Sequence, residues 1–581
     1  MKEYYDLIIS NGFILDTRNL KIFTAHICIN NGIIEKLLPL EASLPKTNEV
    51  IDASGKYISP GFIDSHIHIE SSMLSPMEFS AIASSHGTTT ILADPHEIAN
   101  VCGLAGIEWF LNQAKNVPLD LFIGIPSCVP ATHLEHSGST ITLKDITKLM
   151  KHPGIFGLAE MMNFPGIIND IGDARSKVDA VYNYGKLVDG HAPGLSGKDL
   201  LSYISNGNND GIVRIMTDHE CTTSDEAIEK LNAGMNIAIR YGSATRDLDA
   251  ILPGLLEKHI DLKHCMLCSD DLSPSELLED GHVDRIINRA LMLMMSYGGY
   301  SLEEATIKAI SLATFNPSQY LKRFYDVQDL PYTGEIAEGY AANIIILDSL
   351  EELHPSTVLI HGKHILDTTT IVEHQELLET VNVGKSLTPQ DFFIGKDTKT
   401  ASINVIESIP GSLRTKHKIM EVSDLCADPS SDLAKIAVFE RHNATGHHTI
   451  GFISKLGLKS GALATTIAHD SHNLIVAGVN DEDMACAANA LIECGGGMAV
   501  VNNDVVDVLP LEIGGLISTK NTSEVAQDYK NIKTSARKLG TSIENIFMTL
   551  SFMALPVIPS LKITDVELID VDNFTSIPLI H

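Results

Sequence analysis

The sequence predicts an α/β protein: a (β/α)8 TIM-like barrel with a composite β-sandwich and an α/β C-terminal domain. From Tyr57 onward, short apolar runs alternate with helix-length amphipathic stretches. That is the pattern of buried parallel strands joined by helices. Five of the eight such runs lead into His66 and His68, Glu160, His191, His219 or Asp270, and a barrel gathers the C-terminal ends of its strands around one mouth. The stretches before Tyr57 and after Gly334 read as short strands with little helix between them. A doubly wound open sheet is the alternative, but it would spread those polar ends along an edge.

In chain order, strands are expected at 6–9, 13–16, 24–29 and 33–38, with Asn30-Asn31-Gly32 as a turn. The eight barrel runs are 61–66, 88–94, 119–125, 155–160, 187–191, 211–217, 236–240 and 265–269. Helices are expected at 99–114, 143–151, 172–184, 224–232, 275–296 and 301–314. Strands return at 334–336, 343–347 and 357–360, placed to pair with the N-terminal ones. The domains are therefore 1–59 with 330–380 (composite β-sandwich), 60–329 (barrel) and 381–581 (C-terminal, strand/helix alternation).

The 581 residues are 44% hydrophobic and 20% charged, which is globular. A net charge of −32 argues against nucleic acid as a partner, because phosphate binding needs a basic face. Nine scattered cysteines do not make a disulfide framework. The N-terminal MKEYYDLIISNGFIL lacks a signal peptide's apolar core, and the apolar stretch 546–561 is short for a bilayer and holds Pro556 and Pro559. A cytoplasmic protein with reduced thiols and no membrane contact is expected. The 24 histidines beside a single tryptophan call for metal or acid/base chemistry.

That chemistry concentrates at strand ends. In an extended strand, residues i and i+2 share a face, so His66 and His68 can bind one metal. Glu160, His191, His219 and Asp270 end the fourth, fifth, sixth and eighth runs. Four imidazoles and two carboxylates suit two divalent ions of zinc, manganese or iron(II). Glu160 is placed to bridge them, and Asp270 to take a proton from activated water and pass it to a leaving group.

The segment GFIDSHIHIESS, behind a β-rich leader, resembles the amidohydrolase superfamily of metal-dependent barrel hydrolases. ILADPHEIANVCG, GLAEMMNFPG, VDGHAPGLSGKDL, TDHECTT, CSDD and AHDSHNLIVAGVNDEDM are similar to the adenine deaminase group within it. Many members carry a carboxylated lysine at the end of strand four. Glu160 stands there instead, a charge-conservative change that this group shares. The resemblance implies manganese or iron as the working pair, ahead of zinc, and hydrolysis of adenine to hypoxanthine and ammonia by a metal-activated hydroxide in purine salvage. It also implies an acid for the purine ring. His96 and Glu97 are candidates for that role or for base contact; a plain helix start is the alternative. His469, Asp470 and His472 are candidates to cap the mouth, contact substrate or bind a further metal, or else form a polar turn. A homo-oligomer, dimer or higher, is expected.

Weaker features remain. Cys265 and Cys268 face opposite sides of a strand, and Cys221 reads as a small rim residue. Arg441-His442-Asn443 and His447-His448 are suggestive loops, and Gly495–497 reads as a turn after a helix. Two rival readings stay open. One is a hydrolase of cyclic amides or N-acetyl groups, whose substrate anion would need Arg175, Arg240 or Arg246. The other is a scaffold that has lost its metals.

Overall fold

A computed structural model describes residues 4–365, 377–395, 401–409, 412–503 and 505–581. Parallel strands Phe62–His68, Thr88–Ala93, Asp120–Ile125, Ile155–Met161 and Leu187–Gly190 lie side by side in chain order. A second parallel group follows: Thr217–Asp218, Asn236–Arg240 and Cys265–Cys268. Two contacts join the groups into a TIM-like α/β domain. Met216 N donates to Val188 O at 2.9 Å, and the short strand Asp270–Asp271 pairs with Phe62–His68, aligning Asp270 with Ile67 and Asp271 with His68.

Alternation along each strand sorts the two layers of core. Ile63, Leu92, Phe156, Leu187, Ala238 and Met266 form an inner cluster, plugged by Tyr320, Phe324 and Tyr325 of the helix Phe315–Gln328. Their neighbours Phe62, Ile91, Ile155, Val188, Ile237 and Leu267 join the outer core beneath the helices. Cys265 and Cys268 fall in different clusters, as their spacing requires. Helix starts are locally encoded: Thr142 and Ser301 make reciprocal capping boxes with Asp145 and Glu304.

The chain on either side of the barrel is stitched together. Ile344–Leu347 pairs antiparallel with Tyr57–Pro60, in one sheet that also carries Tyr4–Asp16, Lys21–Asn30, Ile33–Leu38, Lys46–Asp52 and Pro355–Ile360. The C-terminal region is an eight-stranded sheet in the order Thr415–Val422, Ala401–Ser408, His448–Ser454, Leu433–Phe439, Leu474–Gly478, Ala462–Thr465, Gly497–Asn502, Val505–Pro510. One face packs on the helix Asp481–Cys494 through Met484, Ala488 and Leu491. The other, through Ile436, Val438, Ile475 and Ala477, shares the barrel's outer core. The two regions are therefore fused by buried apolar surface.

Several expectations need correction. Runs 6–9 and 13–16 are one strand, Tyr4–Asp16, and Lys46–Asp52 had no clear sequence signal. Run 211–217 shrinks to Thr217–Asp218, because Arg214 N and Ile215 N both donate to Ile204 O at the end of the preceding helix and so stay off the sheet ladder. The helix expected at 275–296 is two, Pro274–Asp280 and Val283–Gly298, broken at Gly281 with φ 97°. Residues 334–336 form no strand. The C-terminal region opens with six strands before its first long helix, so regular alternation is absent there. Residues 366–376, inside the expected 330–380 segment, lie outside the described residues. Gly495 does end the helix Asp481–Cys494 in the left-handed region, φ 86°. No helix among the described residues is long and apolar enough to cross a membrane.

One buried ion pair braces the mouth from behind. Lys230 Nζ donates to Asp218 Oδ2 at 2.9 Å, Glu226 Oε1 at 2.7 Å and Ala192 O at 2.6 Å, with the Lys230 and Asp218 side chains fully buried. Removing one partner strands the other's charge. Lys230→Met should therefore cost about 3–5 kcal/mol and lower the calorimetric unfolding temperature. Adding Asp218→Asn should recover part of that loss, and unchanged unfolding in Lys230→Met would refute the bracing role.

Candidate metal centre

The side chains expected at the strand ends do converge. His66 and His68, two residues apart on one strand, turn the same way, with their Nε2 atoms 3.1 Å apart and ring planes at 84°. Glu160 Oε2 lies 2.7 Å from His191 Nδ1 and 3.1 Å from His219 Nε2. Its Oε1 lies 3.2 Å from His96 Nδ1 and 3.7 Å from His68 Nε2. One carboxylate thus faces two pairs of imidazoles, one pair on each oxygen. Asp270 Oδ1 is 3.4 Å from His68 Nε2 and 3.6 Å from His66 Nε2. Asp270 takes φ 58°, a left-handed turn at the strand end that Asp tolerates better than most residues. The His66 and His219 rings stack at 3.9 Å.

This donor set fits divalent cations. Three overlapping groups, His68/Asp94/His96/Glu160, His66/Glu160/His219 and His66/His68/Asp270, each hold their ligand atoms within 4.8 Å of one another, all buried. His68 Nδ1 sits 3.1 Å from Asp94 O. A donated Nδ1–H there leaves the Nε2 lone pair facing the cluster, the tautomer a metal ligand needs. Among the described residues, Asp94 Oδ1 and Asp470 Oδ2 are buried without a hydrogen-bond partner, a cost that a bound cation would relieve. Burial pushes the Glu160 carboxyl up, but His191, His219 and His96 outweigh it and hold the group well below its ordinary value.

The surrounding shell is rigid. Tyr203 OH donates to Met161 O at 2.7 Å and accepts from His191 N at 2.9 Å. Ser127 Oγ donates to Glu160 O at 2.6 Å. Asp218 Oδ1 accepts from Ala192 N at 2.8 Å, so the Lys230 cluster locks residues adjoining both His191 and His219. Cys221 Sγ points at Asp218, away from the imidazoles.

His96 is drawn further into the cluster than a base contact requires. Its Nδ1 is 3.2 Å from both Asp94 Oδ2 and Glu160 Oε1, and its Nε2 is 3.3 Å from Glu97 Oε1. Glu97 turns toward the C-terminal region: its Oε1 is 2.8 Å from His469 Nδ1, and its Oε2 bonds His472 Nε2. Burial works against charge on His469, but Glu97 outweighs it and lifts the imidazole to about 9. Burial lowers His472 to about 4, with Glu97 opposing. His469 and Asp470 line the mouth cavity together with His96 and Glu97, whereas His472 stands behind Glu97. Arg441, fully buried, donates to the carbonyls of His472 and Gly514 and so anchors that loop. His442 Nε2 lies 2.8 Å from Ser471 O, and His447 packs on His136.

Sequence reasoning missed Glu220 and the apolar wall, and gave Asp94 no role and Arg240 a different one. Asp94 stands two residues before His96, the same spacing as His66 and His68. Glu220, next to His219, approaches His219 Nε2 at 3.6 Å and bonds Arg240. Arg240 Nη1 also lies 3.4 Å from Asp270 Oδ2, and its Nε 2.9 Å from Asp247. Apart from Met162, the cavity's apolar lining, Leu413, Phe552, Leu555, Val557 and Ile558, comes from the C-terminal region and carries no motif. The arginines offer no free cation for a substrate anion: Arg240 is triply engaged, Arg175 bonds the carbonyls of Ile167 and Ile168, and Arg246 reaches out to Glu276.

Known proteins match this architecture along its length. Residues 57–373 match the amidohydrolase family, and residues 412–575 the adenine deaminase C-terminal domain. The chain is 38% identical over 591 residues to adenine deaminase 2 of Carboxydothermus hydrogenoformans, covering 100% of this chain and 97% of that one. It is 37% identical over 583 residues to adenine deaminase of Desulfatibacillum aliphaticivorans (99% and 97%). It is 39% identical over 588 residues to that of Kosmotoga olearia (99% and 97%). With a metal-ligand mouth on a TIM-like domain and both family matches in order, the chain belongs to the adenine deaminases of the amidohydrolase family, hydrolases acting on adenine.

Proposed function

We propose that the enzyme replaces the exocyclic amino group of adenine by water, giving hypoxanthine and ammonia in purine salvage, with two divalent ions held by His66, His68, Glu160, His191, His219 and Asp270. The observation that carries this reading is Glu160, whose two oxygens each face a separate imidazole pair. Bound ions supply Lewis acidity and make water nucleophilic at neutral pH. Manganese or iron(II) is the proposed pair, ahead of zinc. The proposed units are 1–59 with 330–380 as a composite β-sandwich, 60–329 as the barrel and 381–581 as the accessory domain. Nine free cysteines fit a cytoplasmic location, and a homo-oligomer is the proposed assembly.

The protein's own groups divide the remaining work. Asp270 accepts a proton from the attacking water and delivers it to the leaving amine. Arg240, 3.4 Å from Asp270 Oδ2, orients that carboxylate and favours its charged form. A ring nitrogen must gain a proton as C6 becomes tetrahedral, and His96, Glu97, His469 and Asp470 are among the polar groups lining the cavity that can assist. His472 holds Glu97 in place.

Protein loaded with manganese or iron(II) should contain about two ions per chain and release one ammonia per adenine consumed, read by coupled ammonia assay and by hypoxanthine absorbance. Absence of turnover with either metal would overturn the reading. Asp270→Asn should lower kcat by about 10²- to 10⁴-fold. Glu160→Ala, which removes the carboxylate shared by both imidazole pairs, should drop the metal content below two by elemental analysis.

A further inference from the structure

The apolar stretch 546–561 has a use that neither a membrane nor the metal cluster explains. It folds as the helix Ile546–Ser551, a turn Phe552–Ala554 and a descent into the strand Leu561–Ile563. On the way, Phe552, Leu555, Val557 and Ile558 line the same cavity as the imidazoles and carboxylates of the mouth. The barrel side of the cavity is mostly imidazoles and carboxylates and, apart from Met162, offers a flat, neutral heterocycle no apolar surface to lie against. The Phe552 ring stacks on His469, with centroids 4.6 Å apart and planes at 11°.

His469 is itself held by a fixed chain of bonds. His472 Nδ1 accepts from Ala468 N at 3.2 Å, so the proton of a neutral His472 is on Nε2, which donates to Glu97. The other oxygen of Glu97 takes His469 Nδ1–H at 2.8 Å. His469 Nε2 has no hydrogen-bond partner among the described residues, and the ring lines the cavity. The arrangement is an imidazole edge of set orientation beside an apolar wall. A planar nitrogen heterocycle requires the same two things: apolar contact on its face and a hydrogen bond at its rim.

We propose that the C-terminal region builds the nucleobase subsite, with Phe552, Leu555 and Val557 packing on the ring and His469, as an imidazolium whose Nδ1–H is held by Glu97, donating Nε2–H to one ring nitrogen. Glu97 and His472 are positioning residues for that contact. The proposal rests on the adenine reading above and adds to it that base recognition comes from a different part of the chain than metal binding.

The two can be tested separately. Equilibrium dialysis of labelled adenine against chelator-stripped protein reads the subsite without catalysis. Leu555→Ala and Phe552→Ala should each weaken adenine binding about tenfold, raise KM of the manganese-loaded enzyme and leave its metal content at the wild-type value. Loss of metal in both variants would make the wall a support of the metal cluster and overturn the proposal; Val557→Ala, a smaller change, guards against simple misfolding. His469→Asn keeps an N–H for Glu97 but removes Nε2. Comparing 1-, 3- and 7-deazaadenine, one analogue should bind wild type at least tenfold more weakly than adenine, yet bind the His469→Asn variant as well as adenine does. If no analogue shows that coupling, His469 does not touch the base. A wild-type protein that binds adenine but does not turn it over refutes the deamination reading alone; one that turns adenine over with unchanged KM in all three wall variants refutes the subsite alone.

Discussion

A buried carboxylate facing four imidazoles sets the terms for the rest of this molecule. Glu160 has both oxygens committed, one to His191 and His219 and the other to His96 and His68. Charge in such a place is tolerated only if every neighbour is held at the right distance. The surrounding architecture meets that demand. Parallel strands bring the ligands to one end, Tyr203 and Ser127 fix the backbone at His191 and Glu160, and the Lys230–Asp218 pair stiffens the next two strand ends. The barrel's apolar interior below, plugged by the aromatics of Phe315–Gln328, supplies the rigid floor.

Much of this was legible because strand periodicity and barrel geometry are both short-range rules. His66 and His68 declare themselves by an i, i+2 spacing, and Glu160, His191, His219 and Asp270 by ending apolar runs. The legibility failed where a contact is non-local or lacks a pattern. Lys230 meets Asp218 across a helix, and nothing at either position marks a buried pair. The stretch 546–561 reads as greasy chain, since a wall needs only apolar volume and no particular order of residues. Strand 211–217 failed through another non-local contact: Arg214 N and Ile215 N donate to Ile204 O, which holds this apolar run off the ladder and leaves Thr217 and Asp218 to pair.

The histidine excess sorts into distinct kinds. Five, at 66, 68, 96, 191 and 219, crowd two carboxylates, Glu160 and Asp270. Two more, at 469 and 472, grip Glu97 from the far side. Others serve as ordinary structural partners: His136 with Asp565, His361 with Asp120 and His86 with Asp284. A neutral imidazole can donate at one nitrogen and accept at the other, which makes it suitable for all three tasks and explains why a bare count could not separate them.

The cavity draws its polar lining almost wholly from before residue 272 and, Met162 apart, its apolar lining from after residue 412. That order imposes a sequence in time. At about 5–20 residues per second of synthesis, the ion-binding groups emerge from the ribosome tens of seconds before Phe552 and Ile558 do. The groups that would hold cations and most of the apolar groups that cover them are therefore made in separate stretches of synthesis.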